Sequence, residues 1–467
     1  MLEYRRTVLM KQLTAVILAA GEGKRMKSKN AKCSHKVCGK PMVEWVLRAV
    51  EGAGADETIL VVGHRADQIK TILGDRVKYA VQEKQLGTGH AVMQAEEYLK
   101  NSDGCVLVLC GDTPLITRKT LVDAVDYHNN SGCAATVITA KVDDPSGYGR
   151  VLRGSDGQVL KIVEHRDATS EQRAINEINS GMYIFDTKML FESLKEVNNK
   201  NDQGEYYLTD TLEILINRGS RVGAFVMEDP GEILGINDRR QLSEASNIMN
   251  KRILNDVMSS GVTIIDPAST YIDADCQIGI DTVIYPDTII EGKTIIGDDA
   301  IIGPNSRLVN SIVGDGSEIA GSVVLDSKIG SNVHLGPFAY VRPGSSIGDN
   351  VKIGDFVEIK NSSIGSNTKI PHLTYVGDSE VGEKVNVACG VVTVNYDGKK
   401  KHKTIIGDGA FVGCNVNLVS PVKVGDNAYI AAGSTITEDV PEDALAIARE
   451  KQTVKEGWVE KKGLRRK

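Results

Sequence analysis

From Val262 to Ile436 one aliphatic residue returns every six positions, as in Leu335, Val341, Ile347, Ile353 and Ile359 and again in Ile406, Val412, Leu418, Val424, Ile430 and Ile436. Gly follows many of these anchors. An amphipathic helix needs apolar spacing near 3.6 and a half-buried strand needs 2, so a period of six fits neither. It predicts a solenoid in which each hexapeptide is a short flat strand plus a tight turn. The anchor points into the prism, and Gly, Asn or Asp takes the turn where positive φ is needed. Ile359 to Ile364 and Val376 to Val381 are steps of five, and between Val392 and Ile406 the period gives way to TVNYDGKKKHKT. Insertions in a solenoid project from one edge, often the binding edge.

Residues 11–240 read differently. Apolar runs at Ala15–Leu18, Thr58–Val62, Val106–Leu109, Ala135–Ala140 and Gly181–Phe185 predict strands. Helical patterns lie at Met42–Glu51, Ala66–Ile72, Gly89–Leu99, Thr117–Asn129 and Leu208–Asn217. The alternation predicts an α/β domain with a largely parallel sheet. Residues 239–260 lack Pro and Gly and read as one amphipathic connecting helix that stops at Gly261. The expected division is 10–238, 239–261 and 262–467, the last segment carrying a short helix pattern and a basic end, KKGLRRK.

A chain of 467 residues exceeds one core. Its 47 glycines follow from the repeats, and a net charge of −7 argues against bulk nucleic-acid binding. Eight cysteines without a CxxC pair read as reduced thiols in a cytoplasm. No apolar run of about 18 residues is present, so no membrane span is expected. Leu13–Gly21 follows basic residues like a signal-peptide core, but Glu22-Gly23-Lys24-Arg25 is no cleavage site, and the segment reads as a buried strand. Met10 serves as an alternative start, with residues 1–9 an upstream extension.

Candidate chemistry in the first half begins at AVILAAGEGKRM (15–26), a strand running into a basic Gly-containing loop. It matches neither GxxxxGK[ST] nor GxGxxG. Its backbone N–H groups, with Lys24 and Arg25, suit a pyrophosphate beyond the carboxyl end of a parallel strand; the alternative is an ordinary strand-to-helix turn. QEKQLGTGHA (82–91) sets Gly87-Thr88-Gly89 at a helix start, exposing backbone to a base or ribose. Asp112 in VLVLCGDTPL ends an expected central strand, as a Mg²⁺ ligand or as an N-cap or turn residue.

In the solenoid His372 follows an anchor by two residues and is expected to leave the prism at a turn. An imidazole there suits a general base for an attacking amine; His334 and His402 read as surface residues. Arg342, Lys360, Tyr375, Asn386, Asn395 and Tyr396 fall off the anchors and are expected to face out, the cations suiting a sugar phosphate. Lys399–Lys403 reads as a solvated loop, with phosphate binding as the sharper alternative.

The first half resembles the sugar-phosphate nucleotidyltransferases in LAAGxGxRM, Lys32, QLGTGHA and GDxPL. With GYGR (147–150), IVEHRDAT (162–169), EINSG (177–181) and GINxR (235–239), the chain from Leu13 to Arg449 is similar to the bacterial bifunctional N-acetylglucosamine-1-phosphate uridyltransferases/glucosamine-1-phosphate acetyltransferases. The resemblance implies a Rossmann-like nucleotidyltransferase domain, a connecting helix and a left-handed parallel β-helix of hexapeptide repeats. It implies UTP and acetyl-CoA as co-substrates, Mg²⁺ as cofactor, and a homotrimer with no nucleic-acid or membrane partner. By the same resemblance Leu18, Ala19, Ala20 and Gly21 hold uridine and phosphate, and Arg25 and Lys32 stabilise the transferring nucleotidyl phosphate. Gln82, Gly87 and Thr88 read uracil, Gly149, Glu164 and Asn179 bind the amino sugar, and Asp112 and Asn237 hold Mg²⁺. In the solenoid Arg342, Lys360, Tyr375 and Asn386 bind glucosamine-1-phosphate, with His372 as base. Cys389, Asn395, Tyr396, Cys414, Ala432 and Arg449 serve the amino-sugar and acetyl-CoA sites, a backbone N–H polarising the thioester. The chain departs from the family at Asn30-Ala31 and Cys33-Ser34 around Lys32, where Leu-Pro and Val-Leu are usual. It departs again at Ala388-Cys389-Gly390 and at Cys414, where Ser is common. Cys414 reads as a small buried filler or as an oxidation-sensitive thiol. The tail KKGLRRK reads as mobile, or as a contact for CoA phosphate.

Overall fold

The structure, a computed structural model, describes residues 12–465 apart from 101, 156 and 202. The readings for residues 1–9 and the last two residues of KKGLRRK lie outside that range. The chain divides between Met249 and Asn250, inside the helix Arg239–Ser259.

The first unit is built on a nine-stranded sheet. Its main path runs Val222–Val226, Ala135–Lys141, Glu177–Asp186, Cys105–Cys110, Leu13–Ala19, Glu57–Val62 and Lys78–Val81. Leu13–Ala19 pairs in parallel on both sides, Leu18 facing Val61 and Cys110. Its run LTAVILA is almost wholly buried, as a strand covered on both faces must be. The main path is largely parallel, as expected, with one reversal: Glu177–Asp186 runs antiparallel to both neighbours, which makes the sheet mixed. An apolar run carries no mark of strand direction. Here direction follows from the preceding excursion, which carries the antiparallel hairpin Arg150–Arg153/Val159–Val163. The single helix expected over Gly89–Leu99 is two, Thr88–Met93 and Glu96–Leu99. The Gln94 side chain occupies the His90 carbonyl at 3.0 Å, and the backbone of Gln94 and Ala95 shifts to tighter i→i+3 bonds.

The second unit is a left-handed β-helix of three parallel sheets with 11, 10 and 9 strands. Up to Asn417–Val419 each strand pairs with the third one after it, as Leu335↔Ile353 on one sheet and Val341↔Ile359 on the next. The anchors form one continuous core, with Ile302, Val341, Ile359, Val412 and Ile430 fully buried. At the first end Leu254, Ile253, Val257 and Met258 pack on that core, covering the open end of the stack. The five-residue steps tighten single turns without breaking register, since Ile347↔Ile364 and Ile364↔Val381 remain paired. The stack extends past Ile436 to Leu445–Ala446. The aperiodic stretch is a hairpin closed by an antiparallel bridge between Tyr396 and Lys401.

Ile359 is 0% exposed. Replacing it by Ala removes buried methyl groups from a column that cannot collapse without unstacking coils. The expected loss is about 2–5 kcal/mol of unfolding free energy, read by denaturant titration of the full chain.

Candidate functional sites

In the first unit the strand Leu13–Ala19 ends at Ala20-Gly21 and the chain tightens through Lys24–Met26 and Lys32–Ser34. Leu18, Ala19 and Ala20 form the strand end, and a Cβ at Gly21 would meet nothing within 4 Å, so the backbone lies open there. Gly23 has φ +66°, and a Cβ on it would lie 2.7 Å from the Lys32 Cβ. Gly23 therefore both permits the turn and lets Lys32 close over it. The Lys32 ammonium ion-pairs with Asp112 and donates to Asn237 Oδ1 at 2.8 Å. Arg25 Nη2 donates to the same oxygen at 2.9 Å. Backbone pinning explains how a residue so distant in sequence reaches the strand end: Ile236 N donates to Asp112 O at 2.9 Å, and Asn237 N to Gln241 Oε1 at 2.7 Å. Asp112 is no N-cap, because Thr117 caps the helix Arg118–Ser131 that follows.

These groups open on a cavity of about 460 Å³ lined by Arg25, Cys110, Asp112, Tyr148, Ser180 and Asn237. It shares Gly147 with a larger one of about 880 Å³ that holds Thr88, Glu164, Asn179 and Tyr183. Burial, and then the Asp112 carboxylate, push the Cys110 thiol up to about 12, which leaves it unreactive. Gly149, Glu164 and Asn179 come together: a Cβ at Gly149 would lie 3.3 Å from Glu164 Oε1 and 3.6 Å from the Asn179 Cβ. A register shift between Asn179 and Met182 turns the Asn179 side chain, whose Nδ2 donates to the Tyr183 hydroxyl at 2.8 Å. Burial, followed by Asp167, raises the Glu164 carboxyl above its usual range. Gln82 is buried, its amide nitrogen donating to Gly87 O at 3.1 Å and meeting His90 Nδ1 at 3.0 Å. It therefore shapes the Gly87-Thr88 loop from behind. Tyr148 and Ser180 lie within the GYGR and EINSG segments, which do not single them out as lining residues, and Gln241, on the connecting helix, carries no motif.

In the second unit residues at equal places on successive turns form columns. Asp355, His372, Cys389, Cys414 and Ala432 each follow a core anchor by two residues and stack along one prism edge. Backbone bonds join them, Leu373 N to Asp355 O at 3.0 Å, Asn415 N to Cys389 O at 2.8 Å and Gly433 N to Cys414 O at 2.8 Å. Arg449 lies at the same edge, its Cδ 3.7 Å from where a Gly433 Cβ would be. His372 leaves the prism as expected, and its Nδ1 meets Asp355 Oδ1 at 2.6 Å.

Across the adjoining face lies a second column. Arg342 pairs with Glu358 at 2.9 Å, and Lys360 with Asp378 at 3.0 Å. Asp378 also accepts from Asn361 at 2.8 Å and from Asn395 Nδ2 at 2.6 Å. Burial pushes the Asp378 carboxyl up, but the bonds from Asn361 and Lys360 outweigh it and the net direction is down. Lys360 and Asn395 thus do not face out freely as the anchor pattern predicts; Asp378 draws both inward, to 15% exposure for the Lys360 side chain and 7% for Asn395. Gly377 leaves space for the Tyr375 ring, since a Cβ would lie 2.6 Å from Tyr375 Cζ. The Tyr375 hydroxyl then accepts from Asn395 Nδ2 at 3.4 Å. Tyr396 is exposed on the hairpin, and Lys401 comes back beside Lys360, whose ammonium holds the Lys401 amine below the ordinary lysine range. His402 is fixed by Asp397 at 2.7 Å and His334 by Glu318 at 3.1 Å. Asn386 stands apart, on the sheet that carries Lys369 and Phe411 rather than the one that carries Glu358 and Tyr375. Asp355, Glu358 and Asp378 escape the sequence reading, and only a spacing of one coil, as between Asp355 and His372, marks them; Lys401 lies in the basic run Lys399–Lys403 already singled out.

Comparison with known proteins agrees with both halves. The Nucleotidyl transferase family matches residues 14–232, and the Bacterial transferase hexapeptide (six repeats) family matches 275–310, 326–361 and 403–438. The bifunctional protein GlmU of Acetivibrio thermocellus is 66% identical over 457 residues, covering 98% of this chain and 99% of the relative. The bifunctional protein GlmU of Caldanaerobacter subterraneus subsp. tengcongensis is 61% identical over 453 residues, covering 97% and 99%. That of Clostridium botulinum is 55% identical over 454 residues, with the same coverage. The chain belongs to the bifunctional GlmU family. As a member of that family it is an enzyme with two transferase activities, one in each unit.

Gly87 tests the first site. Its φ is +105°, and a Cβ would lie 2.9 Å from Tyr206 N, so the alanine variant must move backbone. Gly87→Ala is expected to lower nucleotidyl transfer at least tenfold while leaving acyl transfer intact, read in parallel assays on one preparation.

Proposed function

We propose that the second unit transfers the acetyl group of acetyl-CoA to the amine of glucosamine-1-phosphate, and that the first unit joins the product to UTP. Pyrophosphate leaves and UDP-N-acetylglucosamine is formed. The observation that carries this reading is the presence, in one chain, of an Arg–Lys–Asp–Asn cluster at the carboxyl ends of parallel strands and of an edge imidazole beside paired cations.

In the uridyl-transfer site the open backbone at Gly21 receives phosphate oxygens, with Leu18, Ala19 and Ala20 against the nucleoside. Arg25 and Lys32 neutralise charge on the transferring phosphoryl group, which needs positioning more than a covalent nucleophile. The Gln82-braced Gly87-Thr88 loop meets the uracil. Glu164 and Asn179 line the amino-sugar end of the larger cavity, with Gly149 packed against both. Asp112 Oδ2 and Asn237 Oδ1 both accept from the Lys32 ammonium, so this oxygen pair already suits a cation. Mg²⁺ takes one or two carboxylates plus phosphate oxygens and water, and these two residues would hold it. When bound it would offset phosphate charge.

In the acetyl-transfer site the face bearing Tyr375 lies between the two columns. Arg342, Lys360 and Lys401 draw the sugar phosphate to one side, which turns the amine toward His372 on the other. His372 takes the amine proton as nitrogen attacks the thioester carbonyl; the C–S bond then breaks, and the proton passes from the imidazolium to the departing CoA sulfur. The edge of Cys389, Cys414, Ala432 and Arg449, with Asn395 and Tyr396, serves acetyl-CoA. Asn386 lies on a different face from Tyr375, which supports a site completed by another copy, as in a homotrimer. The domain limits 10–238, 239–261 and 262–467 and a cytoplasmic location belong to the same reading.

A single-activity pyrophosphorylase with a scaffolding solenoid is the competing reading, and two variants separate them. His372→Ala is expected to abolish acetyl transfer and spare uridyl transfer. Asp112→Ala is expected to abolish Mg²⁺-dependent uridyl transfer and spare acetyl transfer. Product analysis with glucosamine-1-phosphate, acetyl-CoA, UTP and Mg²⁺, each omitted in turn, reads both; loss of both activities in either variant contradicts separate sites.

A further inference from the structure

We infer that Asp355 is the positioning residue of the acetyl-transfer site, fixing the tautomer and orientation of the His372 imidazole. The inference rests on the reading of His372 as the base. Asp355 and His372 are register partners on consecutive coils, and Asp355 Oδ1 lies 2.6 Å from His372 Nδ1. The Asp355 carboxyl is held below the usual carboxylate range, first by that hydrogen bond. An ionised carboxylate only accepts, so Nδ1 must carry the proton. The lone pair is then on Nε2, the atom left to face an incoming amine. The same contact stabilises the imidazolium that forms when the proton is taken.

Three observations bear on how the pair is presented. First, Gly354 lets the coils close beneath it, because a Cβ there would lie 2.7 Å from the Pro371 carbonyl carbon. That approach brings the Asp355 strand end under His372. Second, Phe356 and Leu373, which follow the pair, adopt φ of +56° and +46°. Phe338, Gly390, Asn415 and Gly433 hold the same place on other coils, also at positive φ, so one recurring turn presents both members of the pair. Third, the pair is not needed to stack the edge. Cys389, Cys414 and Ala432 continue the column with no ion pair there, and an exposed pair contributes little stability. The solenoid carries two other His–carboxylate pairs, His334–Glu318 and His402–Asp397. The first links register partners on a flat face, and the second fixes the hairpin. Only His372–Asp355 sits at the border of the face carrying Tyr375.

The full chain tests the inference through Asp355→Asn, Asp355→Glu, His372→Ala and the double variant Asp355→Asn/His372→Ala. Asp355→Asn is expected to lower kcat for acetyl transfer roughly a hundredfold, within the range of general-base contributions. KM for glucosamine-1-phosphate and for acetyl-CoA should stay within about twofold, a split that marks loss in the transition state rather than in binding. In the His372→Ala background Asp355→Asn should cost nothing further, since it acts only through the ring. Asp355→Glu should recover part of the rate. Uridyl transfer, unchanged throughout, reports folding, and His334→Ala should leave both activities unchanged. If His372→Ala abolishes acetyl transfer while Asp355→Asn leaves kcat within threefold, the inference falls and the base assignment stands. A raised KM with unaltered kcat, or an additive loss in the double variant, also overturns it. If His372→Ala keeps full activity, the base assignment itself fails.

Discussion

Parallel stacking of the coils is the constraint on which the solenoid depends. Each coil must set its inward aliphatic side chains over those of the coil before, at the spacing of neighbouring parallel strands, about 4.8 Å. Ile353↔Ile370 and Val387↔Val412 are single steps of that rule. The rule fixes the core, and it also fixes everything outside it. A residue two places after an anchor must meet its counterpart on the next coil. Chemistry on this surface is therefore written in columns, and a residue's partners lie one coil away rather than nearby in sequence. Asp355 reaches His372 in this way, and Asp378 reaches Lys360 and Asn395.

The two units solve the problem of holding charged groups by opposite means. In the α/β unit the polar groups cluster at the ends of buried strands, where backbone bonds such as Ile236 N to Asp112 O bring distant segments together. Lys32, at 13% side-chain exposure, is there balanced by Asp112 and Asn237. Removing one partner from so covered a pair strands the other, and such pairs serve geometry more than stability. In the prism the core is aliphatic, and the polar groups it buries are small hydroxyls such as Thr282, Ser317 and Thr368 rather than charges. Charged groups sit on its faces and edges, where Arg342–Glu358 is paired laterally at low energetic gain while Lys360–Asp378 is as covered as the Lys32 pair. The exposed pairing orients Arg342 without committing it, so a substrate phosphate can take it over at small cost, whereas Lys360 can meet a phosphate only while keeping its bond to Asp378.

Legibility from sequence followed the same division. The hexapeptide period marked each anchor, and even the five-residue steps and the aperiodic stretch at 395–403 announced a local departure, because one residue per six carries the packing signal. His372 was visible for the same reason, as a titratable group two places after an anchor. Its partner was not, since Asp355 looks like any turn aspartate until the coil length is known. In the α/β unit the strands were legible as apolar runs, but the direction of Glu177–Asp186 was not, because burial on both faces leaves no polarity to read. The break between Thr88–Met93 and Glu96–Leu99 was hidden too, for it depends on one glutamine amide choosing a carbonyl.

The departures from the family pattern carry a last lesson about where substitution is tolerated. Cys389 and Cys414 occupy an edge column whose register is carried by backbone bonds and whose anchors, Val387 and Val412, are fully buried. Side chains at those two places contribute nothing to the stack, so a small thiol in place of a small alternative leaves the carbonyl and N–H positions unchanged. Lys32 lies between Ala31 and Cys33, both buried, and its turn is held by Gly23 packing on its stem and by Ala31 N donating to Gln68 Oε1 at 2.6 Å. Neighbouring residue identity can drift there while the ammonium stays aimed at Asp112. In both units the functional atoms are held by backbone geometry set elsewhere, which is why local sequence differences leave the two arrangements intact.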